Sequence, residues 1–452
     1  MNAPTKRAAN APAPPQPPAE NEDCLSLNIW TPAAVAPNAA LPVMVFIHGG
    51  SFVAGSGADP MYDGAHLAAN QNVVLVTINY RLGVLGFLAA DGLAGNYGFL
   101  DQQLALTWVR DNIRSFGGDP DKVTIFGESA GAMLVGLHLY SAPASVRLFR
   151  AAIMESNFFA LPYKRLADQV NVGNIFKQGL NCRDLACLRQ KPVNDIVTQQ
   201  YAYTEEMSSV FSGTQYYIPF SPTIDGTVLV RQPVSGAATH ARKPVLLGTN
   251  KDEALLFTEG RSFPPLVYAA DVAELFGLSF QSVIAKNLPS DSSSNELTWG
   301  RVQTEYFLLC STRHVAASTK APVYAYLFNH QPSFTVWGKS TCRRDGNVCH
   351  GDELPFVFHA ADKIGGRFTA DEAKLSDTMG RYWANFAAHL DPNGVPASAP
   401  ATRWPRFSAQ DRSYLALNAP SLLVQNDPYR ETCAFWDRVG YELFSPWSPK
   451  PR

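Results

Sequence analysis

The sequence predicts an α/β fold built on a mostly parallel, twisted central sheet with helices on both faces. Six stretches read as strands: Pro42 to His48, Val73 to Tyr80, Lys122 to Phe126, Phe149 to Met154, Pro244 to Gly248 and Val323 to Asn329. Most are continuous apolar runs rather than alternating ones, the pattern of strands covered on both sides. Helical stretches fall between them, and strand, helix, strand, helix in that order implies parallel pairing through crossovers. With 452 residues, 46% of them hydrophobic and 17% charged, the chain has material for a large core.

Residues 1–21 are rich in Ala, Pro and Asn and carry no continuous apolar segment, so they read as a flexible lead and not as a secretory signal. Residues 22–452 read as one catalytic domain. Between the second and third strands, Ala105, Trp108, Val109, Ile113 and Phe116 recur at helical spacing in Asp101 to Phe116, a helix stopped by Gly117-Gly118-Asp119-Pro120. Ala130 to Tyr140 has helix-forming content. About 161–207 and 258–304 lack strand runs and read as helical insertions over the carboxyl edge of the sheet, where clefts of open α/β folds form. Helical patterning returns at Thr378 to Leu390, and the tail from Asp391 onward is rich in Pro and Asn.

A formal net charge of −2, from 37 basic and 39 acidic residues, gives no electrostatic case for nucleic acid or an anionic membrane. A small neutral substrate fits better. No apolar stretch reads as a spanning helix of ~20 residues. Seven cysteines include the close pairs Cys182 with Cys187 and Cys342 with Cys349, then Cys310, Cys433 and Cys24. Spacing alone assigns no bonds, and neither a Cys-x-x-Cys nor a His-rich cluster points to zinc.

The chemistry concentrates at Gly127-Glu128-Ser129-Ala130-Gly131, where a β-branched run breaks and a helix-forming stretch begins. Small flanking residues let backbone segments crowd together and push a serine hydroxyl outward on a sharp strand-to-helix turn. The pattern alone is weak, since three positions at roughly 7% each recur by chance about once in seven chains of this length. The strand before it and the helix after it supply the context.

A serine hydroxyl needs an imidazole to take its proton and a carboxylate to hold that imidazole's tautomer. Of nine histidines, His66, His138, His240, His314 and His389 lie in helical or polar surroundings, whereas His350 sits in a loop-like segment well after a strand. Glu253 falls just past the strand Pro244 to Gly248, and Asp252 beside it is an equal alternative on sequence physics. His48-Gly49-Gly50-Ser51-Phe52 follows the first strong strand and can turn several N–H groups toward one oxyanion. No phosphate-loop pattern follows it.

Eight segments resemble type-B carboxylesterases, the cholinesterase-like branch of the α/β-hydrolases. They are Glu22 to Trp30, His48 to Phe52, Asn79 to Gly83, Asn96 to Gln102, Phe116 to Pro120, Gly127 to Ala132, Asn250 to Glu253 and His350 to Glu353, in the family's order and spanning Glu22 to about Trp436. The resemblance implies Ser129 as nucleophile, Glu253 as acid, His350 as base, and the amides of Gly50, Ser51 and Ala130 as oxyanion donors. Ser51 departs from the glycine many members carry, which keeps the amide and narrows the cleft. Glu128 and Glu353 match acids near the family's triad. By the same resemblance, Cys182–Cys187, Cys310–Cys433 and Cys342–Cys349 pair as disulfides, the last bracing the loop of His350. Disulfides imply an oxidising compartment, so the expected location is secreted or periplasmic. The family's usual segment before Glu22 is replaced by the Ala/Pro-rich lead, which leaves Cys24 unpaired and removes the tryptophan that stacks on choline, so choline esters are not expected substrates.

The sequence thus points to a carboxylesterase working through an acyl-enzyme, without metal or organic cofactor. Phe52, Tyr216, Tyr217, Ile218 and Phe220 are candidates for the substrate pocket, although core packing explains such residues equally well. A catalytically inactive binding or adhesion protein is the alternative from another class, and the intact serine, acid and histidine positions weigh against it. Lipase or thioesterase activity uses the same chemistry.

Overall fold

The computed structural model describes residues 21–36, 38–210, 218–240, 242–290, 294–344 and 346–442. Thirteen strands appear among them: β1 (Leu27–Trp30), β2 (Leu41–Ile47), β3 (Val74–Ile78), β4 (Ala89–Ala90), β5 (Leu93–Ala94), β6 (Gly118–Glu128), β7 (Ala151–Glu155), β8 (Lys164–Arg165), β9 (Thr223–Ile224), β10 (Val245–Asn250), β11 (Val323–Phe328), β12 (Ser413–Leu417) and β13 (Leu423–Asn426). Nine form one sheet in the order β1-β3-β2-β6-β7-β10-β11-β12-β13. The seven inner strands pair in parallel, and β1 and β13 close the edges antiparallel.

The apolar runs divide by alternation between two buried faces. Val43, Val45 and Ile47 of β2 join one core cluster, with Leu106, Val109 and the helix Ala130–Tyr140. Met44 and Phe46 join the other, with Leu67, Phe358, Trp383 and Phe386 from the helices Ala65–Gln71, Leu354–Phe358 and Ala370–His389. A strand that must be apolar at every position is the consequence.

The chain passes from β2 out to β3 on one side and returns to β6 on the other, so strand order reverses at β2. Ligand crevices of open α/β sheets form at such a reversal, beyond the strands' carboxyl ends. Register lines those ends up: Ile47 faces Gly127, Glu128 faces Glu155, and Glu155 faces Gly248.

The six expected strands are all present, within a few residues of their expected ends. The helix expected at Asp101 begins earlier, at Tyr97, and ends at Asn112 before a 3₁₀ turn over Ile113–Phe116, with Gly117 in the left-handed region at φ 80°. The last long helix starts at Ala370, eight residues before its apolar pattern, because Thr369 caps it: its Oγ accepts from Glu372 N–H while the Glu372 carboxylate accepts from Thr369 N–H. The tail holds β12, β13 and the helix Arg430–Val439. The stretch about 161–207 contains the helices Leu166–Gly179, Leu185–Arg189 and most of Val193–Val210, and about 258–304 contains Pro265–Phe276, Phe280–Lys286 and Glu296–Gln303. Pro265–Lys286 together reach the length and mean hydropathy, 1.2, of a weak membrane-span candidate, which the apolar scan of the sequence missed. Gly277 breaks it at φ 51°, and Tyr268, Val272, Leu275, Phe276 and Val283 are buried in the core.

Disulfides join Cys182 to Cys187, Cys310 to Cys433 and Cys342 to Cys349, while Cys24 has no partner among the described residues.

Candidate active site

Ser129 occupies the single position between β6 and the helix Ala130–Tyr140, with φ 57° and ψ −126°. Such a conformation costs a non-glycine residue about 1–3 kcal/mol and persists only where the surroundings impose it. They do so here. A Cβ on Gly127 would stand 2.6 Å from the Ile47 carbonyl oxygen, and one on Gly131 would collide with that same oxygen. Both glycines are therefore required by the close passage of β2. The Ser129 N–H donates to Glu155 O at 3.0 Å, tying the turn to the end of β7.

The loop after β2 turns through three successive positive φ values, Gly50 at 103°, Ser51 at 55° and Phe52 at 64°. Gly50 has no room for a side chain, since a Cβ there would strike Ala54 O, and the same Gly50 carbonyl accepts from Val53 and Ala54 N–H at 3.0 Å. Ser51 holds a conformation that residues with a side chain adopt uncommonly, with its own side chain exposed. Among the described residues none accepts a hydrogen bond from the amides of Gly50, Ser51 or Ala130. His48 underpins this loop: it is buried, stacked on Tyr80 at 4.5 Å, and its carbonyl accepts from Tyr80 Oη–H at 2.8 Å. Burial lowers its imidazole to about 4, against a weaker opposing effect of the Gly49 carbonyl.

His350 is buried beyond β10 and β11, and its Nδ1 lies 2.7 Å from Glu253 Oε2. The other Glu253 oxygen accepts from Asn250 N–H at 2.7 Å. Asp252, equal to Glu253 on sequence, turns away and accepts from Val348 N–H at 3.0 Å. On the far side of the ring, His350 Nε2 stands 3.0 Å from Glu128 Oε1. This is an ion-pair approach without hydrogen-bond alignment, because neither atom has a hydrogen-bond partner, Ser129 included. Catalytic hydrogen bonds are often unmade before substrate arrives. Burial alone would lower the His350 pKa, but the carboxylates of Glu128 and then Glu253 overcome it and hold the imidazole well above its ordinary value.

Glu353 does not touch His350. It is fully buried, accepts from Asn250 Nδ2 and from Ser156 Oγ at 3.4 Å, and burial followed by the charges of Glu128, Glu253 and Glu155 raises it well above the carboxylate range. Phe52 and Phe220 are wholly buried, Phe52 edge-on to Phe87 and Phe220 packed on Phe176 and Tyr203. Ile218 is half-buried, its carbonyl accepting from Lys164 Nζ at 2.7 Å, and Tyr216 and Tyr217 lie outside the described residues.

Sequence reasoning missed the residues that surround the imidazole. Phe158 and Phe257 flank its ring at 5.3 and 5.1 Å. Trp337 Nε1–H donates to the His350 carbonyl at 2.6 Å. Glu155, at the end of β7, accepts from Trp383 Nε1–H at 2.6 Å, and burial pushes it up to about 8. An acid closing the apolar run Ala151-Ala152-Ile153-Met154 was the available signal, by the strand-end logic that selected Glu253.

An elbow serine, a glycine loop with unspent amides beside it and a carboxylate-held imidazole at the same sheet edge belong to the class of α/β hydrolases that work through a serine. The model of the Carboxylesterase family matches residues 2–436. The chain is 34% identical over 450 residues to the "Crystal protein" of Dictyostelium discoideum, covering 94% of this chain and 78% of that one. It is 32% identical over 483 residues to acetylcholinesterase of Electrophorus electricus, covering 92% and 74%. Among solved structures, a PNB esterase superposes with a TM-score of 0.80 at 31% identity over 94% of this chain and 87% of that one, and a thermophilic PNB esterase likewise at 0.80 over 92% and 84%. The chain belongs to the carboxylesterase family and is a carboxylic-ester hydrolase of the serine type.

Proposed function

We propose that Ser129 attacks the ester carbonyl, that His350 Nε2 takes its proton and returns it to the leaving alcohol, and that Glu253 holds Nδ1–H and balances the imidazolium. Water then releases the acid by the same route. The amides of Gly50, Ser51 and Ala130 receive the oxyanion, each donor being worth about 2.7–4 kcal/mol in such sites. Glu128 tunes the imidazole through its contact at Nε2, and Glu353 acts indirectly, by accepting from the side chain of Asn250, whose N–H donates to Glu253. The observation that carries this reading is the 2.7 Å contact between Glu253 and a buried His350 whose other nitrogen has no hydrogen-bond partner.

The substrate is a small neutral ester, residues 22–452 act as one catalytic domain, and the three disulfides fit a secreted or periplasmic location. The test is hydrolysis of p-nitrophenyl acetate and butyrate by the parent and by Ser129→Ala. Loss of nearly all turnover is expected, and equal rates would end the proposal.

A further inference from the structure

The loop after β2 lends the amides of Gly50 and Ser51 to the oxyanion hole proposed above, and it is fastened on both sides of them. The His48 carbonyl accepts from Tyr80 Oη–H at 2.8 Å, and the Phe52 carbonyl accepts from Gly83 N–H at 2.6 Å. Phe52 is wholly buried at φ 64°, a conformation that only its surroundings can impose. Gly83 opens the five-residue helix Gly83–Phe87, whose first N–H groups find no partner inside the helix. The first of them is spent on Phe52. The next, Val84 N–H, is buried and donates to Gln200 Oε1 at 2.8 Å, 116 positions along the chain. Gln200 is itself buried on the helix Val193–Val210, inside the insertion at about 161–207. Its amide fills the space a side chain at 83 would need, because a Cβ there would collide with Oε1, and Gly83 stands at φ 53°.

We infer that Gln200 is a positioning residue for the oxyanion hole, holding the Gly83 and Val84 amides and, through the Phe52 carbonyl, the loop of Gly50 and Ser51; this rests on the assignment of those two amides to the hole. The path is short. Without the Gln200 oxygen, Val84 N–H is a buried donor with no acceptor, a costly state that the start of the helix relieves by turning toward another partner. Gly83 N–H is on the adjacent residue and turns with it, which loosens the Phe52 carbonyl next to Ser51. Removing an oxyanion donor outright costs about 10²–10³ in kcat, and a misplacement of about 1 Å costs up to about 10². The insertion that the sequence presents as cover for the cleft thus reaches the catalytic loop by one side chain. Thr198-Gln199-Gln200-Tyr201 gives no sign of this, since it reads as the solvent side of a helix until the fold turns Gln200 inward.

The test uses the full chain and p-nitrophenyl butyrate. Gln200→Met keeps the length of the side chain and removes the acceptor, and it is expected to lower kcat and kcat/KM together by about 10-fold with KM little changed, the mark of an interaction made in the transition state. An alkyl trifluoromethyl ketone reads the hole directly: Ser129 Oγ adds to its carbonyl carbon, the hydroxyl proton passes to His350, and the former carbonyl oxygen is left as an oxyanion. Its inhibition constant should rise by the same factor as kcat/KM falls. The ascending limb of the pH profile should stay where it is, because Glu128, Glu253 and His350 keep their contacts. Gln200→Glu retains an oxygen for Val84 N–H and should restore kcat to near the parent's. If Gln200→Met does not fold, Gln200→Asn, whose oxygen is drawn back by one carbon, carries the same test. A variant lacking the acceptor that keeps the parent's kcat and inhibitor affinity, whatever its Tm, overturns the inference, as does a loss that Gln200→Glu shares in full. With Ser129→Ala inactive, that result removes the inference alone; a Ser129→Ala as fast as the parent removes the proposed function and the inference together.

Discussion

Replacing Glu128 by Gln isolates the strongest influence opposing burial at His350. The carboxylate stands 3.0 Å from Nε2, and Glu128 precedes Glu253 among the groups that raise the imidazole. At an effective dielectric of about 20, unit charges at that distance attract by about 5 kcal/mol, which is a ceiling of about 4 pKa units. Desolvation offsets part of any buried pair, and the amide keeps a dipole toward the ring, so the imidazole pKa is expected to fall by less than that ceiling. The sign follows from the proposed role of His350 as base. His350 accepts a proton only when neutral, and the parent's raised pKa puts the ascending limb of its kcat/KM profile above pH 6.5. In Glu128→Gln that limb moves to lower pH, while the plateau drops because the developing imidazolium has lost a neighbouring charge. The assay is kcat/KM for p-nitrophenyl acetate from pH 5 to 10, with spontaneous hydrolysis subtracted. Glu253→Gln serves as contrast, since losing the tautomer-setting carboxylate should cost about 10³–10⁴ in kcat. A limb that stays in place or climbs in Glu128→Gln would refute the argument.

Gly131→Ala should abolish soluble expression or lower stability by more than about 4 kcal/mol, because its Cβ meets a fixed strand carbonyl; recovery of a protein with the parent's Tm would contradict this. Glu155→Gln should flatten the pH dependence of stability. The folded carboxyl titrates near 8 and the unfolded one near 4.5, so its contribution is fully present below 4.5 and is lost as pH rises through 8, by up to about 5 kcal/mol. Tm measured from pH 5 to 8 should therefore decline in the parent and much less in the variant, whose side-chain oxygen still accepts from Trp383. Trp337→Phe keeps a ring against Gly351 but removes the donor to the His350 carbonyl. One hydrogen bond of about 0.5–1.5 kcal/mol predicts a loss of roughly 2–10-fold in kcat with KM little changed, and a change confined to KM would count against a positioning role.

How much of this was legible in the sequence depends on how local each signal is. Strands buried on two faces show themselves as unbroken apolar runs, so all six inner candidates could be read. β12 could not, because Ser413 to Leu417 is five residues in a Pro- and Asn-rich tail. β13 is an edge strand with three of four residues exposed, and it lacks the apolar signature altogether. The elbow was legible because glycine on either side of a serine is a steric demand, and the structure shows the strand carbonyl that makes it. Spacing left Asp252 and Glu253 even, since both follow the same strand. The family resemblance chose Glu253, and the fold supplies the physical reason by sending Asp252 to Val348 N–H and Glu253 to His350. Phe158 and Phe257 look like ordinary core aromatics until His350 arrives between them.

The carboxyl edge of the sheet gathers four buried acids, Glu128, Glu155, Glu253 and Glu353, around one imidazole. Four charges there would repel at a cost no single histidine could offset. Burial resolves the conflict by raising Glu155 and Glu353, which are met by Trp383 Nε1–H and by Asn250 Nδ2–H rather than by a cation. The two acids that touch His350 are those at its own nitrogens. The carboxyl groups of the candidate site therefore fall into two pairs: burial raises the outer pair, Glu155 and Glu353, while the inner pair, Glu128 and Glu253, faces the imidazole. Neutralising an inner acid should then shift the pH profile, whereas neutralising an outer one should shift stability.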